Sequence, residues 1–385
     1  MHLERLHLQG LRNIAEASLE LGPGFNYLYG ENGAGKTAVL ESIYLLARGR
    51  SFRARNINQL VSQGVVEMLV RAELNNAAGL QRLGFSRRIE QQSSVNTFSL
   101  NGQQCQGFSA LATELAVQTL LPDAAELVYG APGERRRFLD WGLFHVKQNY
   151  LSLSRRYHRT LQQRNAWLKT VSGVDGLGEK DDPWLQQLLE AGREISIARE
   201  EYVKLLEMPF TEALSSLSGD MGMHLDYAWG GLVSEAECGK KMSESFARDV
   251  KFGMTHRGPH RADISIIVED AGGGAPGPEK SSMKAGERLS RGQAKVAASA
   301  LMLAQVALQR ARVGQGSVVL IDDLGAELDA AHWRRFLVTL EQLGCQVIAT
   351  STQPPDKQGW LTGINCDVFH VEQGAVSPWR AKDNG

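Results

Sequence analysis

Residues 30–37, Gly-Glu-Asn-Gly-Ala-Gly-Lys-Thr, match the pattern G-x-x-x-x-G-K-[ST]. They follow an apolar run from Phe25 to Leu28 and precede a helix-like run from Ala38 to Ala47. The loop is therefore expected between a strand and a helix, the setting this pattern requires. Glycines here let successive backbone N–H groups turn inward around a polyphosphate at the N-terminus of a helix. On this reading Gly30, Glu31, Asn32, Gly33, Ala34 and Gly35 cradle the phosphates. Lys36 places its charge on the β and γ oxygens, and Thr37 offers a hydroxyl to Mg2+. The pattern commits the chain to an α/β nucleotide-binding core and to a nucleoside triphosphate such as ATP as ligand.

The rest of the chain is long enough for more than that core. With 385 residues it exceeds what one compact core usually holds, so two lobes are expected. A formal net charge of −1 identifies no partner by itself, and basic surface has to be sought region by region. Cys105, Cys238, Cys345 and Cys366 show no C-x-x-C spacing and are expected as packed, reduced thiols rather than a zinc site. The N-terminus reads as an amphipathic strand, not a signal peptide, and the mainly apolar run Val296 to Leu308 is too short to span a bilayer. A soluble, cytoplasmic protein without a membrane partner is expected.

Up to about residue 120 the chain reads as α/β. Short apolar runs at Leu3–Leu8 and Ala17–Leu21 are followed by strands at Val65–Leu74 and Arg82–Arg88, and Asn101-Gly102 marks a tight hairpin. From Glu134 to Lys169, Phe138, Trp141, Tyr150, Leu153, Tyr157, Leu161 and Leu168 fall near helical spacing. Read as one helix, this stretch is roughly 50 Å long. Thr170 to Pro183 reads as a turn, and helical periodicity resumes from Trp184 to Glu207, giving an antiparallel helical arm. Residues 271–286 read as a flexible loop by composition. Helix (Arg291–Arg312), strand (Ser317–Ile321), helix (Ala331–Gln342) and a last buried strand (Val347–Thr350) follow.

Ser317-Val-Val-Leu-Ile-Asp322-Asp323 is a buried strand ending in two carboxylates. An acid at that end stands beside the phosphates: Asp322 would share Mg2+ with Thr37, and Asp323 would orient or deprotonate the attacking water. The alternative is an ordinary strand-to-turn acid pair. Leu289-Ser290-Arg291-Gly292-Gln293 resembles the signature motif of ABC-type ATPases. A small hydroxyl, a glycine and a helix N-terminus together make an anion site, and the resemblance implies that Ser290, Gly292 and Gln293 cap the γ-phosphate held by a second copy, with simple N-capping by Ser290 as the alternative. Ala326-Glu327-Leu328-Asp329 resembles the loop through which such paired heads touch. Thr352 stands where many ABC-type ATPases carry a switch histidine. That difference, and Asp rather than Glu at position 323, point to slow hydrolysis. Lys36, Asp323 and Ser290 are the expected catalytic residues.

Pro122 to Asp140, which includes Tyr129-Gly130-Ala131-Pro132-Gly133-Glu134-Arg135-Arg136-Arg137-Phe138-Leu139, resembles the hallmark segment of the RecF family, bacterial recombination mediators. Arg48-Gly-Arg-Ser-Phe-Arg53, Gly258-Pro-His-Arg-Ala-Asp263 and the acid-pair segment through Asp329 resemble further blocks of that family, in its order. Gln293-Ala294-Lys295 and Leu11-Arg12-Asn13 depart from its usual forms, as does Phe52 where histidine is common. The resemblance implies an ABC-type P-loop ATPase head (1–120 and 251–385) with an inserted α-helical lobe (121–250). It implies ATP-dependent homodimerisation around two sandwiched nucleotides, binding of double-stranded, gapped or junction DNA, and partnership with RecR and RecO in loading RecA, on the nucleoid.

The residues themselves add a basic stretch. Arg135, Arg136, Arg155, Arg156 and Arg159 are the expected phosphate-tracking side chains, in a region that also holds Arg137, Lys147, Arg164 and Lys169. The alternative is that some of these pair with Glu190, Glu194, Glu200 and Glu201 on the return helix. No base-reading element is recognisable, so sequence-independent binding is expected. Arg50 and Arg53 receive no catalytic role. A transporter subunit fits poorly, because the helical arm separates Lys36 from Ser290 too widely. A nuclease-fused head fits poorly because little chain follows Thr352. A related SMC-like ATPase acting as a nucleotide switch with little hydrolysis is the alternative.

Overall fold

The computed structural model describes residues 1–91, 93–171, 176–219, 221–231, 238–269, 282–324, 329–355, 361 and 364–379. Contacts divide the chain into two units: Met1–Ala124 with Gln309–Gly385, and Ala125–Leu308.

The first unit opens with β1 (His2–Leu11), β2 (Ile14–Glu20), β3 (Phe25–Tyr29), α1 (Lys36–Arg48), β4 (Glu67–Asn76), β5 (Gly79–Ile89), β6 (Ser94–Leu100), β7 (Gln103–Gln104), α2 (Phe108–Glu114) and β8 (Val117–Leu120). The second contains α3 (Glu126–Tyr129), α4 (Pro132–Val146), α5 (Tyr150–Val171), α6 (Leu185–Ser218), β9 (Met223–Ala228), α7 (Cys238–Phe252), β10 (Asp263–Glu269), β11 (Ser282–Lys284), α8 (Ala285–Arg288) and most of α9 (Arg291–Val313). The chain then returns to the first unit with β12 (Val318–Ile321), α10 (Ala330–Gln342), β13 (Gln346–Ser351), β14 (Cys366–Glu372) and β15 (Ala375–Pro378).

Two sheets build the first unit. One is antiparallel, in the order β2-β1-β4-β5-β6-β7, and its strands alternate buried and exposed residues as a one-sided sheet must. The other has the order β15-β14-β3-β13-β12-β8, and all its strands except β15 run parallel. Its central strands β12 and β13 are buried at every position, which explains the continuous apolar run Val318–Ile321. One core joins Leu6, Leu8, Val70 and Phe85 of the antiparallel sheet to Val39, Ile43 and Leu46 of α1 and to Val318, Leu320 and Ile348. Because α1 is covered on all sides, it is apolar nearly all round. It ends at Gly49, whose left-handed φ of 67° lets its N–H reach Leu45 O at 2.8 Å, while a side chain there would collide with Phe108.

In the second unit α5 and α6 form the expected antiparallel pair. Tyr150 meets Arg199, Arg156 meets Glu194, and Arg164 meets Asp182, so contacts ascend one helix while descending the other. Leu153, Tyr157, Leu161, Leu188, Ala191 and Ile195 fill the seam. The single helix expected over 134–169 is two helices, however. The chain breaks at Lys147, with an extended φ of −126° and ψ of 102°, and restarts as Leu153 N–H bonds to Asn149 O. Tertiary contacts favour the break. The Tyr150 hydroxyl donates to Asp140 Oδ1 at 2.5 Å, and Arg199 grips both oxygens of the same carboxylate. A three-stranded antiparallel sheet, β11-β10-β9, completes this unit.

The expected head segment 251–385 is divided by these contacts at 308/309, because β10 pairs with β9 from Asp263 to Val268 and with β11 from Ile267 to Glu269 and so stays with 125–250. Part of the expected loop 271–286 is β11 and the start of α8; residues 270–281 lie outside the described set. Beyond Val347–Thr350, β14 and β15 add two further strands. Among the described residues no helix is long and apolar enough to cross a membrane.

Candidate nucleotide-binding site

In parallel α/β sheets, ligands settle beyond the carboxyl ends of the strands. Here β3 ends at the glycine-rich loop, β8 at Leu121-Pro122-Asp123, β12 at Asp322-Asp323 and β13 at Thr350–Thr352. Residues from all four ends line one cavity of about 960 Å³.

The loop is shaped by backbone contacts that only glycine permits. A side chain at Gly30 would strike Val371 O of β14. Gly33 has a φ of 80° and open space where a side chain would point, which leaves its face of the loop free for a ligand. Gly35, at φ 119°, directs the chain into α1. Behind the loop, the Gly374 N–H donates to Ala34 O at 2.8 Å, so the β14–β15 turn supports it.

Lys36 is buried, and its ammonium donates to Gly30 O and Glu31 O, both at 2.8 Å. Burial pushes its pKa below the usual lysine range, while the carboxylates of Asp322 and Asp323 pull it back up. The Thr37 hydroxyl donates to Asp322 Oδ1 at 2.9 Å, joining two segments 285 positions apart. Thr350 donates to the same oxygen at 2.9 Å and accepts from the Asp323 N–H at 2.9 Å. Asp323 itself has a φ of 58°, left-handed and strained for a residue other than glycine. A hard carboxylate oxygen beside a hydroxyl at a helix N-terminus is a donor set that suits Mg2+.

The sequence reading assigned no role here to Arg12, Asn13, Glu41 or Thr350. Arg12 and Asn13 form the β1–β2 turn. Asn13 donates to Gly33 O at 2.9 Å, and the Arg12 guanidinium grips Glu41 through Nε and Nη2, each at 2.9 Å. Both residues line the cavity, together with Phe52, Arg53, Gln59 and Thr352. Arg12 has a left-handed φ of 55° in that turn, a conformation that only the structure shows. Nothing in the spacing linked it to the loop. Arg50 does not line the cavity.

Ser290, Gly292 and Gln293 belong to the second unit. Ser290 N–H donates to Gln293 Oε1 at 3.0 Å and Gln293 N–H to Ser290 Oγ at 3.3 Å, a reciprocal capping box at the start of α9. This is the capping arrangement weighed as the alternative, and it still leaves the Ser290 hydroxyl proton to donate. Of Ala326–Asp329, only Asp329 is described; it caps α10 by accepting from the His332 N–H at 2.9 Å.

The expected DNA-facing arginines separate into two groups. Arg135 is tied to both oxygens of Asp263 at 2.8 Å, and Arg136 donates to Ala262 O at 2.8 Å. Both are therefore engaged within the unit: Arg135 joins α4 to β10, and the half-buried Arg136 joins α4 to the residue before that strand. Burial lowers the pKa of Arg136. Arg155, Arg156 and Arg159 are exposed on α5, and Arg156 pairs with Glu194 at 2.7 Å. Arg164 is fully buried between Asp182 at 2.7 Å and Asp249 at 2.8 Å.

Residues 2–374 match the model of the RecF/RecN/SMC N-terminal domain family. Over 98% of this chain and 98% of the relative, the sequence is 37% identical to the DNA replication and repair protein RecF of Pseudomonas aeruginosa strain LESB58. It is 36% identical, with the same coverage, to that of Pseudomonas entomophila. A solved structure of the recombination mediator protein RecF-ATPrS in the RecFOR pathway superposes with a TM-score of 0.83 at 25% identity, covering 98% of both chains. An SMC head bound to the C-winged helix domain of ScpA shares the fold, at TM-score 0.57 and 16% identity over 99% of this chain and 98% of that one.

Proposed function

The chain belongs to the RecF family of DNA replication and repair proteins, with an ABC-type ATPase fold, and from that premise we propose that it is a slow, Mg2+-dependent ATPase whose nucleotide state controls dimerisation and DNA binding. The observation that carries this reading is the meeting of Thr37, Asp322 and Thr350 on one carboxylate oxygen at the mouth of the glycine-rich loop.

Thr37 and Asp322 would hold Mg2+, which when bound neutralises phosphate charge. The loop N–H groups bind the phosphate oxygens, and Lys36 exchanges its two loop carbonyls for oxygens of the triphosphate. Thr350 holds Asp322 and the Asp323 backbone in place, and from that backbone position the Asp323 carboxylate would orient or deprotonate an attacking water. Ser290, Gly292 and Gln293 of a second copy close over the γ-phosphate. ATP then favours the closed dimer through differential affinity, and hydrolysis releases it. In that form the protein holds double-stranded, gapped or junction DNA without sequence preference. Its partners are RecO and RecR, the other proteins of the RecFOR pathway, and its task is RecA loading in gap repair, on the nucleoid.

Turnover of Asp323→Asn beside the wild type tests the enzyme reading. A fall of at least 100-fold in kcat with ATP affinity retained is expected, as for loss of a base or water-positioning group. Equal turnover would leave the related reading, an SMC-like nucleotide switch with little hydrolysis.

A further inference from the structure

One carboxylate ties together three elements around the cavity, and the mechanism above does not use it. Glu41 sits on α1 one turn beyond the glycine-rich loop and is 1% exposed. Its Oε2 accepts from Arg12 Nε at 2.9 Å, and its Oε1 accepts from Arg12 Nη2 at 2.9 Å and also from the Ser51 hydroxyl. Ser51 Oγ accepts in turn from the backbone N–H groups of Arg53 at 2.9 Å and Ala54 at 2.7 Å. Arg12, Glu41, Arg53 and Ala54 all line the nucleotide cavity.

We propose that Glu41 is a positioning residue for the nucleotide: it fixes Arg12 on one wall of the cavity and, through Ser51, the 51–54 segment on another. The geometry favours this over a purely structural ion pair. Arg12 is held at a left-handed φ of 55°, its backbone N–H on Leu60 O at 2.7 Å, so the turn itself is set to bring this side chain inward. The bidentate grip uses two of the five guanidinium N–H groups. The remaining donors belong to a side chain that is 31% exposed and lines the cavity, whereas the carboxylate behind it is closed to solvent. A guanidinium fork held by a buried acid is pre-organised to donate to an anion or a ribose oxygen, and little rotamer entropy is lost on binding. Ser51 extends the arrangement, because a loop pinned through its hydroxyl moves with Glu41 rather than on its own.

This inference rests on ATP binding at the glycine-rich loop, and the experiment separates the two. Steady-state ATP hydrolysis and calorimetric ATP binding are measured on the full chain for wild type, Lys36→Ala, Glu41→Gln, Ser51→Ala, Arg12→Lys and the Glu41→Gln/Ser51→Ala double variant. Loss of ATP binding in Lys36→Ala supports the underlying reading; equal binding there overturns that reading and this inference with it. For Glu41→Gln the expectation is a KM raised about tenfold with kcat kept within about twofold, the signature of lost binding rather than lost chemistry. Arg12→Lys, which keeps the charge and loses the fork, should raise KM similarly. Ser51→Ala should raise it less, and the double variant no more than Glu41→Gln, since Ser51 acts through that carboxylate. A purely structural role would instead reduce the folded fraction, lowering apparent kcat at unchanged KM. That result, or an unchanged KM in both Glu41→Gln and Arg12→Lys, overturns the proposal. If Glu41→Gln does not fold by thermal melting, Arg12→Lys and Ser51→Ala carry the test, because neither empties the buried carboxylate site.

Discussion

His260 shows how closely one side chain can be specified by its surroundings. Its Nε2 lies 3.0 Å from Thr255 O, so that nitrogen carries the proton, and its Nδ1 accepts from the Tyr157 hydroxyl at 2.7 Å. The ring is therefore neutral and doubly satisfied. Burial, with the nearby charges of Arg261 and Arg136, depresses its pKa to about 4. An ordinary histidine titrates near 6.5, so between about pH 6.5 and 4 the unfolded chain binds this proton and the folded chain does not. The contribution to stability is complete above pH 6.5, falls as pH drops through that window and is flat below about 4. Its full size is about 3 kcal/mol. Urea midpoints for wild type and His260→Gln across pH 4 to 7 check this: the difference between the two curves should change with that sign, and parallel curves would contradict it. Arg164 is specified as closely, its charge enclosed by Asp182, Asp249 and the Thr255 hydroxyl.

At the level of elements, α4 and α5 carry the basic stretch but do different work. The fork of Arg135 on Asp263 and the bond from Arg136 to Ala262 join α4 to β10 and to the residue before it, whereas Arg155 and Arg159 stand exposed on α5. Phosphate contacts appear as salt dependence, with each one contributing about one unit to the slope of log affinity against log salt. Arg155→Ala/Arg159→Ala should weaken duplex DNA binding and lower that slope by about two, with the melting temperature unchanged. Arg135→Ala should lower the melting temperature by several degrees and leave the slope alone. Fluorescence anisotropy at several salt concentrations, beside thermal melts, separates the two outcomes; a reversed pattern would return Arg135 to the DNA surface. The sequence revealed elements whose logic is local. Asn101-Gly102 is a tight hairpin with φ values of 53° and 78°, and the glycine-rich loop, the acid pair and the helices Arg291–Val313 and Ala330–Gln342 fell where spacing put them. It did not reveal relations that exist only after folding. The break before Tyr150 depends on Asp140 and Arg199, Thr350 matters because β13 lies beside β12, and β14 buries only Phe369 and Val371, too short an apolar pattern to stand out.

For the molecule as a whole, the question is what completes the nucleotide's surroundings. The residues that line the cavity all belong to the first unit, and Ser290–Gln293 to the second. That segment has features its own helix does not need. Capping requires Ser290 and Gln293, but Gly292 has open space where a side chain would stand and sits in the first turn of α9, where alanine would favour the helix. A bare backbone beside a hydroxyl proton left free by the capping box suits close approach by another molecule's phosphate. If ATP is bound on both faces only in the dimer, mass action requires ATP to raise the dimerisation constant. Ser290→Arg should therefore bind ATP as monomer within about twofold of wild type, since a factor of two is under 0.5 kcal/mol, yet show no ATP-induced dimer. Sedimentation velocity with and without ATP checks both halves. Normal dimerisation of that variant would mean that the hydroxyl serves its own helix alone, and that whatever closes the γ-phosphate side of the cavity lies elsewhere on the chain.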